Sequence, residues 1–117
     1  MNISLKTFGC KVNQYETQLL IENLKENSFN IIDFNDFQNT DYCIINSCAV
    51  TETAIIKLKK IINLIIKKNS KCKIILTGCA ADYILKNNIK INNVYKFVKT
   101  AEKTEILNFI IFDADID

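Results

Sequence analysis

The sequence contains no histidine, arginine, proline or tryptophan, and the missing histidine narrows the chemistry open to the chain. Histidine is the commonest general base and the commonest metal ligand of proteins. Any metal or nucleophile chemistry must therefore use Cys, Asp, Glu, Lys or Tyr. The other absences accompany many Ile, Asn and Lys residues, a pattern typical of biased codon usage rather than of a function.

Long apolar runs are also missing. The longest apolar stretches, such as residues 61–66, are interrupted by Asn or Lys, and they are far shorter than the roughly 20 residues of a membrane helix. The amino terminus lacks the basic start and the apolar run of a secretion signal. We therefore predict no transmembrane segment, no membrane partner and a cytosolic, that is cytoplasmic, location.

The net charge is small and the number of cysteines is low. The net charge of +2 is too small to form, by itself, a positive surface that holds nucleic acid. Five cysteines among 117 residues are too few for a disulfide scaffold, and their number is odd. Because disulfides are rare in the cytosol, we expect metal binding or thiol chemistry instead.

Short β-rich runs alternate with helical runs, which is the pattern of a parallel sheet covered by helices. The length fits one domain, residues 1–117. We therefore predict an α/β fold with a parallel five-stranded sheet flanked by helices. The predicted strands are residues 2–8, 29–32, 42–46, 73–77 and 94–98, and the predicted helices are residues 13–26, 51–68, 80–86 and 101–108.

Several local features accompany these elements. One face of the first helix is expected to carry Val12, Tyr15, Leu19 and Leu24. Thr51 is predicted to cap the helix that follows the third strand, and Thr100 is predicted to cap the last helix. Residues 111–117 alternate apolar with acidic side chains, and we expect them to be extended or frayed.

Three of the cysteines, Cys10, Cys48 and Cys79, lie within two residues of the end of a predicted strand. The carboxyl ends of parallel strands share one edge of a sheet, where open α/β sheets bind ligands. Neighbouring strands are about 4.8 Å apart, so the ends of strands one, three and four span about 10 Å if they are adjacent. A shared site therefore predicts the flavodoxin-like strand order 2-1-3-4-5.

Glycine precedes Cys10 and Cys79. Glycine permits positive φ and lets the backbone approach a bulky group such as a cluster, although an ordinary strand-to-helix turn explains it as well. The remaining cysteines lie inside a predicted strand (Cys43) and just before one (Cys72). Free cysteine at such places is commonly a small buried apolar residue, so we expect both to be structural.

Three thiols leave the kind of site open. A structural zinc ion takes four ligands and, without histidine, would need Cys43 or Cys72 as well. Iron–sulfur clusters are held by thiolates, usually four. With three thiolates, one iron would have no protein ligand and could bind an exogenous sulfur or substrate group.

Three motifs carry a family resemblance: TFGCKVNQYET at residues 7–17, NSCAVT at residues 46–51 and LTGCA at residues 76–80. In this order and spacing they resemble the N-terminal domain of the radical SAM methylthiotransferases, over nearly the whole chain. Residues 9–16 are most similar to the branch that modifies N6-threonylcarbamoyladenosine at position 37 of tRNA.

The resemblance implies that Cys10, Cys48 and Cys79 hold an auxiliary [4Fe-4S] cluster whose open iron carries the sulfur delivered to the substrate. It also implies a second [4Fe-4S] cluster, in a radical SAM domain, that cleaves S-adenosylmethionine to a radical. That radical abstracts hydrogen from C2 of the adenine. The implied partners of the full-length enzyme are its tRNA substrate and S-adenosylmethionine.

The chain departs from the family pattern. The Cys-x3-Cys-x2-Cys motif of the radical SAM domain does not occur among its cysteines, and the C-terminal RNA-binding domain is absent from the 117 residues. We therefore expect an excised domain or a truncated product that is inactive alone. Asp82 stands where the family often has Gln.

Polar residues beside the cysteines are candidate pocket residues. Asn13, Gln14 and Glu16 begin a predicted helix and could line a cluster or substrate pocket, although capping and solvation explain them equally. Asn46 and Thr51 flank Cys48 and could orient its loop. A turn residue and a helix cap would look the same.

Two functions of other classes stay open. A flavodoxin-like electron-transfer or binding module without catalysis would need a phosphate-cradling loop after the first strand, and residues 9–13 form a poor one. A structural zinc protein would need a fourth ligand at the same edge.

Overall fold

The computed structural model describes residues 1–8, 11–48 and 50–116, and for residues 11–14, 16, 115 and 116 it describes the backbone alone. The strands are β1 (Asn2–Phe8), β2 (Asn30–Ile31), β3 (Tyr42–Ser47), β4 (Lys73–Thr77) and β5 (Lys96–Val98). The α-helices are α1 (Lys11–Glu26), α2 (Glu52–Lys68), α3 (Cys79–Lys86) and α4 (Ile106–Ile116). Two short 3₁₀ helices span Phe37–Asn39 and Thr100–Glu105; the second is called the 3₁₀ segment below.

The five strands form one sheet in which every pair is parallel, in the order β2-β1-β3-β4-β5. The predicted α/β class and strand order are confirmed. All six residues of β3 are buried, as expected for a central strand covered on both faces. Because β3 lies between β1 and β4, the carboxyl ends of these three strands are neighbours.

Helices cover both faces of the sheet. Beneath α2 and α3, one core forms around Cys43, Ile45, Ile74 and Leu76. The side chains that α2 buries recur at steps of three and four residues, as in an amphipathic helix: Ile55, Leu58, Ile62 and Ile65. The opposite face packs against α1 and α4. Within the described residues, no helix is long and apolar enough to cross a membrane.

The expected apolar face of α1 is partly wrong. Leu24 is fully buried, but Tyr15 is 68% exposed and Leu19 is 45% exposed. The side chain of Val12 lies outside the described part of the chain. Leu20 and Leu24 are one turn apart and pack into the core of this face. The helix is therefore rotated so that these two leucines, and not Leu19, face the sheet.

The carboxyl-terminal part also differs from the prediction. The 3₁₀ segment replaces the start of the predicted helix 101–108, and α4 continues to Ile116 through residues predicted to be extended or frayed. Thr100 is not the N-cap, because Lys99 occupies that position without a side-chain hydrogen bond. Instead, the backbone N–H of Thr100 donates to the Asp82 carboxylate at 2.8 Å.

Contacts from distant parts of the chain hold α4. Tyr42 and Tyr95 each donate a hydroxyl hydrogen bond of 2.5 Å to the Asp113 carboxylate, and Lys73 donates one of 3.0 Å. Burial by itself raises the pKa of Asp113. The three hydrogen bonds and the charge of Lys73 lower the pKa by more than burial raises it, so the net pKa is below its usual range. The network fixes α4 to the amino edge of the sheet. This anchoring explains why residues 111–116 remain helical.

Candidate functional site

The carboxyl ends of β1, β3 and β4 form a polar row that is half-buried at β1 and buried at β3 and β4. Thr7, Asn46 and Thr77 are register partners across the three strands. Asn46 is 5% exposed and Thr77 is 2% exposed. The three candidate cysteines follow this row along the chain by two or three residues, so the row forms the inner boundary of the candidate site.

The turn that carries Cys48 is fixed to the strand ends on both sides. On one side, the backbone N–H of Cys48 donates to the carbonyl of Phe8, the last residue of β1, at 2.8 Å. On the other side, a Cβ placed on Gly78 would lie 2.5 Å from the Ser47 carbonyl oxygen and 3.0 Å from the Ser47 nitrogen. The turn after β4 therefore lies directly against the backbone of the last residue of β3.

Gly78 also has a backbone conformation that other residues rarely adopt. Its φ is +96° and its ψ is −173°, a region that is essentially restricted to glycine. The sequence predicted positive φ and close backbone approach for a glycine before Cys79. Positive φ is confirmed at Gly78, where the close neighbour is the backbone of Ser47. Approach to a cluster stays a prediction, and Gly9 lies outside the described residues.

Thr17 connects α1 to the polar row. Its Oγ1 lies 2.5 Å from the Oγ1 of Thr7, and it accepts a hydrogen bond of 3.3 Å from Nδ2 of Asn46. These bonds fix the first half of α1, the helix that begins directly after Cys10 in the sequence. The sequence analysis missed Thr17 because its partners are 10 and 29 residues away, and a lone threonine in a helix gives no signal of them.

The structure places two of the three candidate ligands. Cys48 is half-buried, and Cys79 is exposed at the first residue of α3. Cys10 lies outside the described residues, so the convergence of three thiols remains a prediction. Among the described residues, no group of three or more His, Cys, Asp or Glu side chains could hold a metal ion. That set contains only two of the three candidate thiols.

The other candidate residues have different outcomes. The side chains of Asn13, Gln14 and Glu16 lie outside the described part of the chain, although their backbone forms the first turns of α1. Thr51 is the N-cap of α2, and its hydroxyl accepts the Ala54 N–H at 3.2 Å. Asn46 is buried and bonded to Thr17. Thr51 thus stabilises a helix end, whereas Asn46 belongs to the polar row.

Cys43 and Cys72 are core residues, as expected. They are 1% and 6% exposed and pack beneath α2 and α3. Burial raises the pKa of Cys43 to about 11, although a hydrogen bond with Ser4 opposes the shift. Burial, followed by the electrostatic effects of the neighbouring Cys43 and Asp41, raises the pKa of Cys72 to about 12. Both groups are therefore neutral thiols at pH 7 and poor nucleophiles or ligands.

Thiol alkylation should divide the cysteines into two classes. In the reduced, metal-free, folded chain, we expect iodoacetamide to modify exposed Cys79 quickly. Cys43 and Cys72 should react at least about 100-fold more slowly at pH 8, because the thiolate is the reactive form and it is scarce when the pKa is raised. Mass spectrometry of tryptic peptides over time measures the rates. Modification of Cys43 as fast as Cys79 would contradict the buried assignment.

Comparison with known proteins gives a family match over most of the chain. Residues 2–100 match the sequence profile of the family described as uncharacterized protein family UPF0004. The match contains all five cysteines and both glycines. Because the matched range runs from residue 2 to residue 100, it includes every element from β1 to β5 and the first residue of the 3₁₀ segment.

Several curated relatives carry enzyme names. The chain is 43% identical over 79 residues to "Threonylcarbamoyladenosine tRNA methylthiotransferase MtaB" of Thermotoga maritima, covering 68% of this chain and 18% of that protein. It is 33% identical to the Bacillus subtilis protein of the same name, over 92% of this chain and 24% of that protein. A Wolbachia protein named "tRNA-2-methylthio-N(6)-dimethylallyladenosine synthase" is 33% identical over 68% of this chain and 18% of its own length. The chain thus spans about a fifth to a quarter of these relatives.

Proposed function

Because this chain belongs to the UPF0004 family, the N-terminal domain of the methylthiotransferases, we propose that it is the auxiliary [4Fe-4S] domain of a tRNA methylthiotransferase. The proposed ligands are Cys10, Cys48 and Cys79. The observation that carries the proposal is the position of Cys48, whose turn is held by backbone contacts to the ends of β1 and β4. Those are the strands that Cys10 and Cys79 follow.

The donor set fits an iron–sulfur cluster. Thiolates are the usual cluster ligands, whereas Mg²⁺ and Ca²⁺ prefer oxygen ligands. Cys48 is half-buried and Cys79 is exposed, so both side chains are accessible to a group at this edge, whereas Cys43 and Cys72 are enclosed in the core. When bound by three thiolates, the cluster would supply one iron that is open to a sulfur ligand.

The other residues of the edge have supporting roles in this proposal. Gly78 lets the Cys79 turn approach the Cys48 turn without a Cβ between them. Thr7, Thr17 and Asn46 hold α1 against the sheet, and thereby fix the helix that begins directly after Cys10 in the sequence. A ligand set that is fixed before the cluster binds loses less conformational entropy on binding.

The substrate proposal rests on the relatives. Their names include the threonylcarbamoyladenosine type and the dimethylallyladenosine type of tRNA methylthiotransferase. We propose the first type, in which the domain supplies sulfur for 2-methylthio modification of N6-threonylcarbamoyladenosine at position 37 of tRNA. In this proposal a radical SAM domain, its own [4Fe-4S] cluster and S-adenosylmethionine provide the radical. An RNA-binding domain would contribute the contacts to tRNA, in the cytoplasm, and the isolated domain would be inactive alone.

A domain exchange tests the proposed function. This chain would replace the matching N-terminal segment of the Bacillus subtilis relative, in a strain that lacks that relative. We expect 2-methylthio-N6-threonylcarbamoyladenosine to reappear in digested tRNA, as detected by mass spectrometry. The Cys48→Ala chimera should give none, and the Cys43→Ala chimera should retain it. Product from the Cys48→Ala chimera, or none from a parent chimera that accumulates to the normal level, would contradict the proposal.

A further inference from the structure

The positive charge of the chain is concentrated in one segment. Residues 52–73 comprise α2, the turn after it and the first residue of β4, and they contain seven lysines and a single acidic residue, Glu52. The rest of the chain contains eight lysines and twelve acidic residues. The net charge of +2 thus combines a positive segment with a negative remainder, an asymmetry that favours contact with a polyanion at that segment.

Four lysines of α2 lie on its exposed face, and we call them the lysine stripe: Lys57, Lys60, Lys67 and Lys68. With 3.6 residues per turn they fall within about 100° of the helix circumference, and they extend about 16 Å along its axis. The side chains that α2 buries lie on the opposite side of the helix. Lys67 and Lys68 also suit the negative end of the helix dipole, but Lys57 and Lys60 lie too far from that end to be explained by it.

The lysine stripe lacks the acidic neighbours that a merely solvated helix face usually has. The positions one turn before its lysines carry no charge: Thr53, Ile56, Asn63 and Leu64. Lys57 and Lys60 are instead one turn from each other, and like charges at that spacing destabilise a helix. Asp36 lines a surface hollow with Lys68, yet no lysine of the stripe forms an ion pair with a described residue. The repulsion along α2 is therefore not relieved by the described part of the chain.

The lysine stripe begins close to the candidate site. Thr51, the N-cap of α2, follows Cys48 by three residues, and α2 runs from the carboxyl edge of the sheet back toward the start of β4. The acidic side chains of Glu16 and Asp115 lie outside the described residues, but they belong to α1 and α4, which cover the opposite sheet face. The stripe is thus a positive track that leads away from the carboxyl edge.

We propose that the lysine stripe binds the phosphate backbone of the tRNA substrate. The inference rests on the proposed function, which brings tRNA to the carboxyl edge where α2 begins. Lysines bind phosphates as point charges, so these contacts position the RNA without reading its bases. The negative remainder of the chain repels the same RNA, so the stripe also sets the side from which it approaches. A membrane surface fits less well, because the buried apolar side of α2 is not available for insertion.

Binding can be measured on the metal-free 117-residue chain by fluorescence anisotropy of a labelled RNA stem-loop that contains tRNA position 37. We expect a dissociation constant of about 10⁻⁵ M at about 50 mM salt, within the range of sequence-independent binding. The logarithm of the affinity should fall with the logarithm of the salt concentration at a slope of about −3, which corresponds to four phosphate contacts.

Two charge-matched variants make the test specific. The first combines Lys57→Gln, Lys60→Gln, Lys67→Gln and Lys68→Gln, and it should weaken RNA binding at least about 10-fold and flatten the salt dependence. Its melting temperature should be no lower than that of the parent, because glutamine suits a helix and the like-charge repulsion is removed. The control combines the same replacement at four exposed lysines elsewhere: Lys25, Lys86, Lys90 and Lys99. The control should bind within about 3-fold of the parent, since distant surface charges are screened.

Three results would overturn the inference. The first is an equal loss of RNA affinity in the two variants, which would make net charge the cause. The second is no binding by the parent at about 50 mM salt up to about 1 mM chain, well above the range of sequence-independent binding. The third is tighter binding to phosphatidylserine vesicles than to the RNA, with the same dependence on the stripe.

The RNA measurement uses neither a cluster nor S-adenosylmethionine, so it is separable from the test of the proposed function. A parent chimera that restores the modified nucleoside, together with unchanged RNA binding by the stripe variant, would overturn this inference alone. A parent chimera without product, together with RNA binding that depends on the stripe, would overturn the proposed function and leave the RNA contact in place.

Discussion

Gly78→Ala is expected to destabilise the chain by about 2 to 4 kcal/mol and to displace the Cys79 turn from the Cys48 turn. The added methyl would meet the Ser47 carbonyl oxygen at 2.5 Å, and that atom belongs to the backbone of a central strand. The positive φ of +96° adds strain for any residue with a Cβ. Thermal unfolding in the absence of metal, followed by circular dichroism, measures the loss.

Asn88→Ala is the matched control for Gly78→Ala. Asn88 also has positive φ, at 53°, but it is exposed and already carries a Cβ. Its replacement should cost only about 1 kcal/mol, which is the usual preference for Asn over Ala in this region. A Gly78→Ala chain that melts within the error of the parent would contradict the close contact between the two turns.

Asp113→Asn is expected to destabilise the chain by about 2 kcal/mol at pH 7, because hydrogen bonds to a carboxylate are stronger than those to an amide. The Asp113 carboxylate is 13% exposed and accepts from two tyrosines and Lys73. Urea unfolding at several pH values measures the difference. The isosteric Glu22→Gln, at an exposed position of α1, is the control and should change little.

The pH dependence of this difference has a definite sign. The folded-state pKa of Asp113 lies below its unfolded value of about 3.8, so the carboxylate stabilises the folded chain at pH values above the unfolded pKa. The contribution disappears as the pH falls through the folded-state pKa. The stability gap between the parent and Asp113→Asn should therefore be full at pH 7 and 5 and should shrink below about pH 4. A gap that is constant down to acid pH would contradict this assignment.

Most of the sheet could be predicted from the sequence because its strands are short apolar runs bounded by polar residues. β1 and β4 have the predicted bounds, and the strand order agrees with the requirement that Cys10, Cys48 and Cys79 share one edge. That requirement used only the spacing of strands in a sheet. The prediction of the strand order did not depend on any side-chain contact, so the sequence alone was sufficient for it.

The continuation of the carboxyl-terminal helix through residues 111–116 could not be predicted, because the contacts that stabilise it are distant in sequence. Residues 111–117 alternate apolar with acidic, which is locally a strand-like pattern. Asp113 is bonded to side chains 18, 40 and 71 residues away.

At the candidate site, the sequence proposed the cluster ligands, which stay a prediction, and the structure shows what surrounds Cys48 and Cys79. Spacing after the strands was enough to select Cys48 and Cys79 and to set Cys43 and Cys72 aside as core residues. The bonds of Thr17, and the contact of Gly78 with Ser47, depend on how α1 and two strand ends meet in space. Those contacts become visible only when the elements are packed.

Iron and acid-labile sulfide per chain, after anaerobic reconstitution, test the central claim most directly. The parent should bind about four of each, the content of one [4Fe-4S] cluster. Single alanine replacements of Cys10, Cys48 and Cys79 should each abolish binding, whereas Cys43→Ala and Cys72→Ala should retain it. Failure of the parent to bind iron, or an equal requirement for Cys43 or Cys72, would contradict a cluster held at the carboxyl edge of this sheet.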